Sequence, residues 1–68
     1  MEISAALKRF RSEQRLSQKA VAEALHIKIQ AYQKYEYGTV TPSAQVIKDI
    51  ANAFNVPADY LLGRTDEP

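Results

Sequence analysis

Residues 26–42, HIKIQAYQKYEYGTVTP, hold three tyrosines within six positions, two lysines, two glutamines and one glutamate. These types hydrogen-bond, carry charge and stack. The whole chain has one histidine and no cysteine. Its carboxylates are not clustered, so it offers neither a nucleophile–base pair nor a metal constellation. No catalytic residue, metal or cofactor is expected, and an enzyme is excluded. What remains is recognition by polar side chains. A glutamine amide can bond adenine N6 and N7 together, a lysine can donate to guanine, and an isoleucine can pack on a thymine methyl. The plain alternative is the solvated polar face of an ordinary helix.

Winding residues 29–37 at about 100° per residue sorts them into two arcs. With Ile29 at zero, Gln33, Tyr37, Gln30 and Lys34 fall at about 40°, 80°, 100° and 140°. Ala31, Tyr35, Tyr32 and Glu36 fall at about 200°, 240°, 300° and 340°. Tyr32 and Tyr35 therefore belong inside, as packing. Ile29, Gln30, Gln33 and Lys34 form the arc that can face base edges.

Helical spacing also governs the elements that must hold this segment. Ile3, Leu7, Phe10, Arg11 and Gln14 mark one face of a first helix ending near Gln14. Ser17 can cap a second, short helix with a stripe of Val21, Ala22 and Leu25. The third runs from about Lys28 to Tyr37 and stops at Gly38, a natural left-handed terminator. Thr41 is expected to cap a fourth helix with Pro42 in its first position, where a missing amide hydrogen costs nothing. Val46, Ile47, Ile50, Ala51 and Phe54 form its buried stripe. Asn55 breaks it, Pro57 opens a last helix through Tyr60, Leu61 and Leu62, and Gly63 ends that one. The prediction is an all-α, five-helix bundle without strands.

Composition agrees. At 46% hydrophobic and 25% charged residues, 68 residues make one small globular domain rather than a disordered chain. The absence of cysteine suits a reducing cytoplasm. The start, MEISAALKRF, lacks the pattern of a signal peptide, and no window approaches a membrane span. Residues 1–38 carry seven Lys/Arg against four Asp/Glu, whereas residues 39–68 carry two against four. That asymmetry permits a basic face but does not by itself distinguish one from a mixed surface.

SQKAVAEALHIKIQAYQKYE resembles the helix-turn-helix of the phage-repressor (Cro-type, XRE) family. The likeness extends through LKRFR, LSQ, YEYG, TPS and IANAFNVPADYLLG, covering roughly residues 3–63. It implies a compact lambda-repressor-like bundle with the helix-turn-helix at helices 2 and 3, and a third helix lying in the major groove. Carried across by position, the family's base-reading sites fall on Ile29, Gln30, Gln33 and Lys34. Its phosphate-binding sites fall on Gln18, Lys28 and Tyr37. Gln18, beside a helix N-terminus, can grip a phosphate that the helix amides also favour. Arg11 and Glu36 match a pair that the family joins across helices 1 and 3. An inward carboxylate demands such a partner, and the pair would orient the recognition helix.

The resemblance implies a sequence-specific, double-stranded-DNA-binding transcriptional regulator, a repressor working as a homodimer on a near-palindromic operator. Residues 1–63 would be the DNA-binding domain and 64–68 a C-terminal tail. Leu62 would contribute to the dimer contact, with Tyr60 and Leu61 partly committed to the core. The alternative is a protein-interaction module of the antitoxin type, which binds a partner protein and autoregulates through the same fold. Such a module would be expected to have a partner-wrapping tail beyond residue 68. No small-molecule substrate is expected. The chain departs from the family where His26 and Arg15 replace turn glycines, where Lys28 replaces a Ser or Thr cap and where Tyr32 replaces an Ile or Val. Ala20 also stands where a capping-box acid is common, leaving Ser17 to cap alone.

Overall fold

Five helices follow one another in the computed structural model, which describes residues 2–65 and 67. They are α1 (Ile3–Glu13), α2 (Gln18–Ala24), α3 (Ile29–Tyr37), α4 (Ala44–Phe54) and α5 (Ala58–Leu61). No strand occurs among the described residues, and no helix there is long and apolar enough to cross a membrane. The bundle measures 28 × 22 × 21 Å.

The helix ends follow from local chemistry. Ser17 Oγ accepts from the Ala20 amide at 3.0 Å, closing the start of α2. The last turn of α1 is tied off by Arg15 N to Ser12 O and Leu16 N to Arg11 O. That of α2 is tied off by His26 N to Glu23 O and Ile27 N to Ala22 O. Both are paired Schellman closures, and both require a left-handed residue after the cap. Arg15 (φ 56°) and His26 (φ 57°) supply it without glycine. At the end of α3 Gly38 takes φ 80°; a Cβ there would meet only Ser4, at 3.8 Å, so the glycine answers to backbone conformation rather than space.

One expected start is corrected. Thr41 does not cap α4 and Pro42 is not its first residue. Ser43 is the N-cap, accepting from Val46 N at 3.2 Å, and the helix begins at Ala44. In the run Thr-Pro-Ser the second hydroxyl wins because Pro42 then sits just outside the helix, where its ring is buried. Pro42 and the buried Ile47 occupy the two positions of a hydrophobic staple. Pro57 likewise sits in the N-cap position of α5, one residue ahead of its first turn.

The core joins Leu7 and Phe10 of α1, Val21 of α2, Tyr32 of α3, Ile47 and Ile50 of α4, and Tyr60 and Leu61 of α5. The Phe10 and Phe54 rings meet edge to face at 5.4 Å between centroids. The Arg9 guanidinium lies over the Tyr60 ring at 4.4 Å and donates to Tyr60 O and Thr65 O. The backbone beyond Gly63 is thereby held against α1 as far as Thr65. Asp66 and Pro68, in the expected tail, lie outside the described residues.

Candidate nucleic-acid interface

The α3 helix packs on α1 and α2, which divides its surface in two. Tyr32 and Glu36 are fully buried, Ala31 and Tyr35 half-buried. The Tyr35 ring stands edge-on to Tyr32, 6.3 Å away. Gln30 and Lys34 are exposed, and Tyr37 is 65% exposed, large for an aromatic residue. Lys28 is exposed in the N-cap position of α3, where its side chain makes no capping bond. Its ammonium is left to solvent or a ligand.

Three of the candidate side chains are not free in this way. Ile29 is half-buried and packs against the core. It lies about 20° round the helix from buried Glu36, so it belongs to the edge of the outward arc. Gln18 and Gln33 are half-buried and bonded to each other, Gln33 Nε2 donating to Gln18 Oε1 at 3.0 Å.

Behind them sits a buried carboxylate. Arg11 grips Glu36 with both edges of its fork, Nε to Oε2 at 2.7 Å and Nη2 to Oε1 at 3.1 Å. Its Nη1 donates to Leu16 O at 3.1 Å, which ties the α1–α2 link to the same guanidinium. Tyr32 Oη donates to Oε2 at 2.6 Å, and Gln18 Nε2 donates to Oε1 at 3.1 Å. Each carboxylate oxygen therefore accepts twice, and α1, α2 and α3 are pinned to one point.

Sequence reasoning took Tyr32 as packing alone and missed its hydroxyl bond. The signal was present: Tyr32 and Glu36 are one helical turn apart on the inward arc, where an acid and a phenol can meet. The Gln18–Gln33 bond had no such signal, since it spans two helices.

Ionisation follows from these contacts. Burial works against the charged form of Glu36, but donation from Arg11, Tyr32 and Gln18 outweighs it and holds the carboxyl below its ordinary range. Burial first, then the bond to Glu36, pushes the Tyr32 phenol far up, so it keeps its donor hydrogen at any ordinary pH. The bond to Glu36 also raises Arg11, against a smaller opposing effect of burial.

A depressed carboxyl stabilises the fold above the unfolded value and loses that contribution as pH falls through the folded one. Taking 4.5 as the unperturbed value, Glu36 should weaken the fold progressively below about pH 4.5. Thermal melts of wild type and Glu36→Gln between pH 7 and 3 check this. The gap between them should narrow on acidification, and a gap constant across that range would contradict it.

Comparison with known proteins bears on this arrangement. The helix-turn-helix family matches residues 7–61. The chain is 37% identical over 62 residues to the uncharacterized HTH-type transcriptional regulator YqaE of Bacillus subtilis (strain 168), covering 90% of this chain and 53% of that protein. It is 36% identical over 59 residues to the SPbeta prophage-derived uncharacterized HTH-type transcriptional regulator YonR of the same organism, covering 87% and 55%. The chain thus spans about half the length of the curated relatives it matches. A transcriptional regulator from Listeria innocua, known from its crystal structure, superposes with a TM-score of 0.81 at 24% identity. The superposition covers 98% of this chain and 63% of that one, a likeness of fold.

Proposed function

This chain belongs to the helix-turn-helix family of transcriptional regulators, and on that premise we propose that it reads double-stranded DNA in the major groove through α3. The observation that supports this best is the contrast across one short helix. Gln30 and Lys34 are exposed with Gln33 beside them, while Tyr32 and Glu36 on the opposite arc are locked into the core. Such backing costs nothing on binding, because the helix is already held in place.

In this reading Gln30, Gln33 and Lys34 meet base edges, and Ile29 offers the exposed part of its side chain to a thymine methyl. Lys28, Tyr37 and the second N–H of Gln18 hold phosphates, which supply affinity and register without sequence preference. Arg11 and Glu36 orient α3. One copy reads few base pairs, so the working unit is a homodimer on a near-palindrome with half-sites about 34 Å apart. Tyr60 and Leu61 are wholly committed to the core, which leaves half-buried Leu62 of that trio for the dimer contact. Occupying the operator in the cytoplasm would make the protein a repressor.

Selection of tight binders from a random duplex pool tests the reading. It should return a symmetric site; failure to enrich any sequence would end the proposal. On that site, Gln30→Ala or Gln33→Ala should each relax preference at one or two base pairs, costing about 1–3 kcal/mol. Binding titrations against single-pair variants measure this. Unchanged preference in both variants would remove α3 from the reading role.

A further inference from the structure

Among the described residues, three other than glycine take a left-handed backbone: Arg15 (φ 56°), His26 (φ 57°) and Asn55 (φ 54°). Asparagine and histidine are enriched in that region; arginine is not, and glycine adopts it freely. Arg15 closes α1 through its amide, which donates to Ser12 O, a task that needs no side chain. The side chain itself is exposed, and among the described residues none bonds or pairs with its guanidinium. Glu13, the nearest acid along the chain, lies about 160° round α1 from Arg11, on the other side of the helix. A cation here suits the negative end of α1, but Arg11 already stands in that last turn. The fold thus bears a backbone cost at Arg15 and makes no use of its charge.

The link that carries Arg15 borders the candidate interface. Leu16 O accepts from Arg11 Nη1 at 3.1 Å, and the same guanidinium grips Glu36, to which Gln18 also donates. Gln18 in turn meets Gln33 of the outward face. Arg15 stands three positions before Gln18, so their Cα atoms are at most about 11 Å apart. An extended arginine side chain can cover much of that gap. No acid stands in the first turn of α2, and exposed Lys19 there adds a second positive charge. Resting on the DNA-reading role given above, we propose that Arg15 is a further phosphate-binding residue, at a link where the family carries glycine. Its guanidinium takes a backbone phosphate neighbouring the one held by Gln18, and its planar fork matches two phosphate oxygens at once. Such a contact raises affinity for every sequence alike.

The test uses the full chain on a duplex selected from a random pool and on an unrelated duplex, between about 50 and 200 mM salt. Arg15→Gln keeps a polar side chain and the backbone strain but loses the charge. Arg15→Gly removes the side chain and relieves the backbone, and Arg15→Lys keeps the charge. Both neutral variants should bind about tenfold less tightly at about 0.1 M salt, on both duplexes, leaving the ratio between them within about twofold of wild type. Their plots of log affinity against log salt should be shallower by about 0.9, the share of one phosphate. Arg15→Lys should keep the wild-type slope. Thermal melts by circular dichroism should place Arg15→Gly at or above wild type, because glycine suits the left-handed link. If Arg15 served the end of α1 instead, Arg15→Gln would melt lower and bind DNA as wild type does, which overturns the proposal. A wild-type salt slope in either neutral variant overturns it too, as does a slope lost in Arg15→Lys or an Arg15→Gly melt below wild type. Loss confined to the selected duplex would mark a base contact and refute the phosphate role. If wild type binds neither duplex, the DNA-reading proposal fails first; if it binds and Arg15 is silent, this one alone fails.

Discussion

Arg11→Ala should take most of the domain's stability at neutral pH and leave it at the edge of unfolding. The substitution strips buried Glu36, 1% exposed, of its cation and of two of the four bonds that its oxygens accept. Removing one partner of a buried ion pair costs about 3–5 kcal/mol, because the remaining charge stays out of water without compensation. The Arg11 side chain is 26% exposed, so solvent screens part of its loss and the lower end of that range applies. A domain of this size has only about 3–5 kcal/mol in total. The sign of the pH response should also invert. With the guanidinium gone, burial is opposed only by donation from Tyr32 and Gln18, and the Glu36 pKa should rise above its unfolded value. The variant should then gain stability as pH falls through that raised value, where wild type is flat or declining. Urea titrations followed by circular dichroism at pH 7 and pH 5 check both statements. A variant within about 1 kcal/mol of wild type at pH 7 would show that the pair contributes little, as exposed pairs do.

The second large effect belongs to Tyr32, and two substitutions divide it. Tyr32→Phe keeps the ring in the core and removes a single donor, the 2.6 Å bond to Glu36 Oε2. Bonds to a charged group contribute about 1.5–3 kcal/mol, and the oxygen left behind is too deep for water to replace the donor. Tyr32→Ala also empties a fully buried site of aromatic size, which brings the loss to about 3–5 kcal/mol. Denaturation midpoints at pH 7 measure both. If Tyr32 served packing alone, the Phe variant would match wild type; equal midpoints for those two would refute the bond's contribution.

These two residues show where reading along the chain succeeds and where it stops. Tyr32 was placed inside from periodicity alone, because burial on a nine-residue helix follows from an angle of about 100° per step. Its hydroxyl was not, because a bond needs a partner at a distance and angle that periodicity leaves open. Ser17 and Gly38 were legible for a similar reason: a cap depends on a handful of neighbouring residues. Thr41 was misread because Thr-Pro-Ser offers two hydroxyls within three residues. Only the burial of Pro42 against the bundle chooses between them.

By itself, then, the sequence determined the order of five helices, their inward and outward faces, and the family to which they belong. All of these rest on interactions within a few residues or on patterns repeated along the chain. The tertiary structure alone decided that Gln18 and Gln33 are bonded to each other, that Ile29 is shared with the core, and that Tyr60 and Leu61 are wholly enclosed. Those outcomes depend on approaches between groups fifteen or more positions apart, where a shift of one ångström makes or breaks a hydrogen bond. Local propensity has no hold on distances of that kind; packing does.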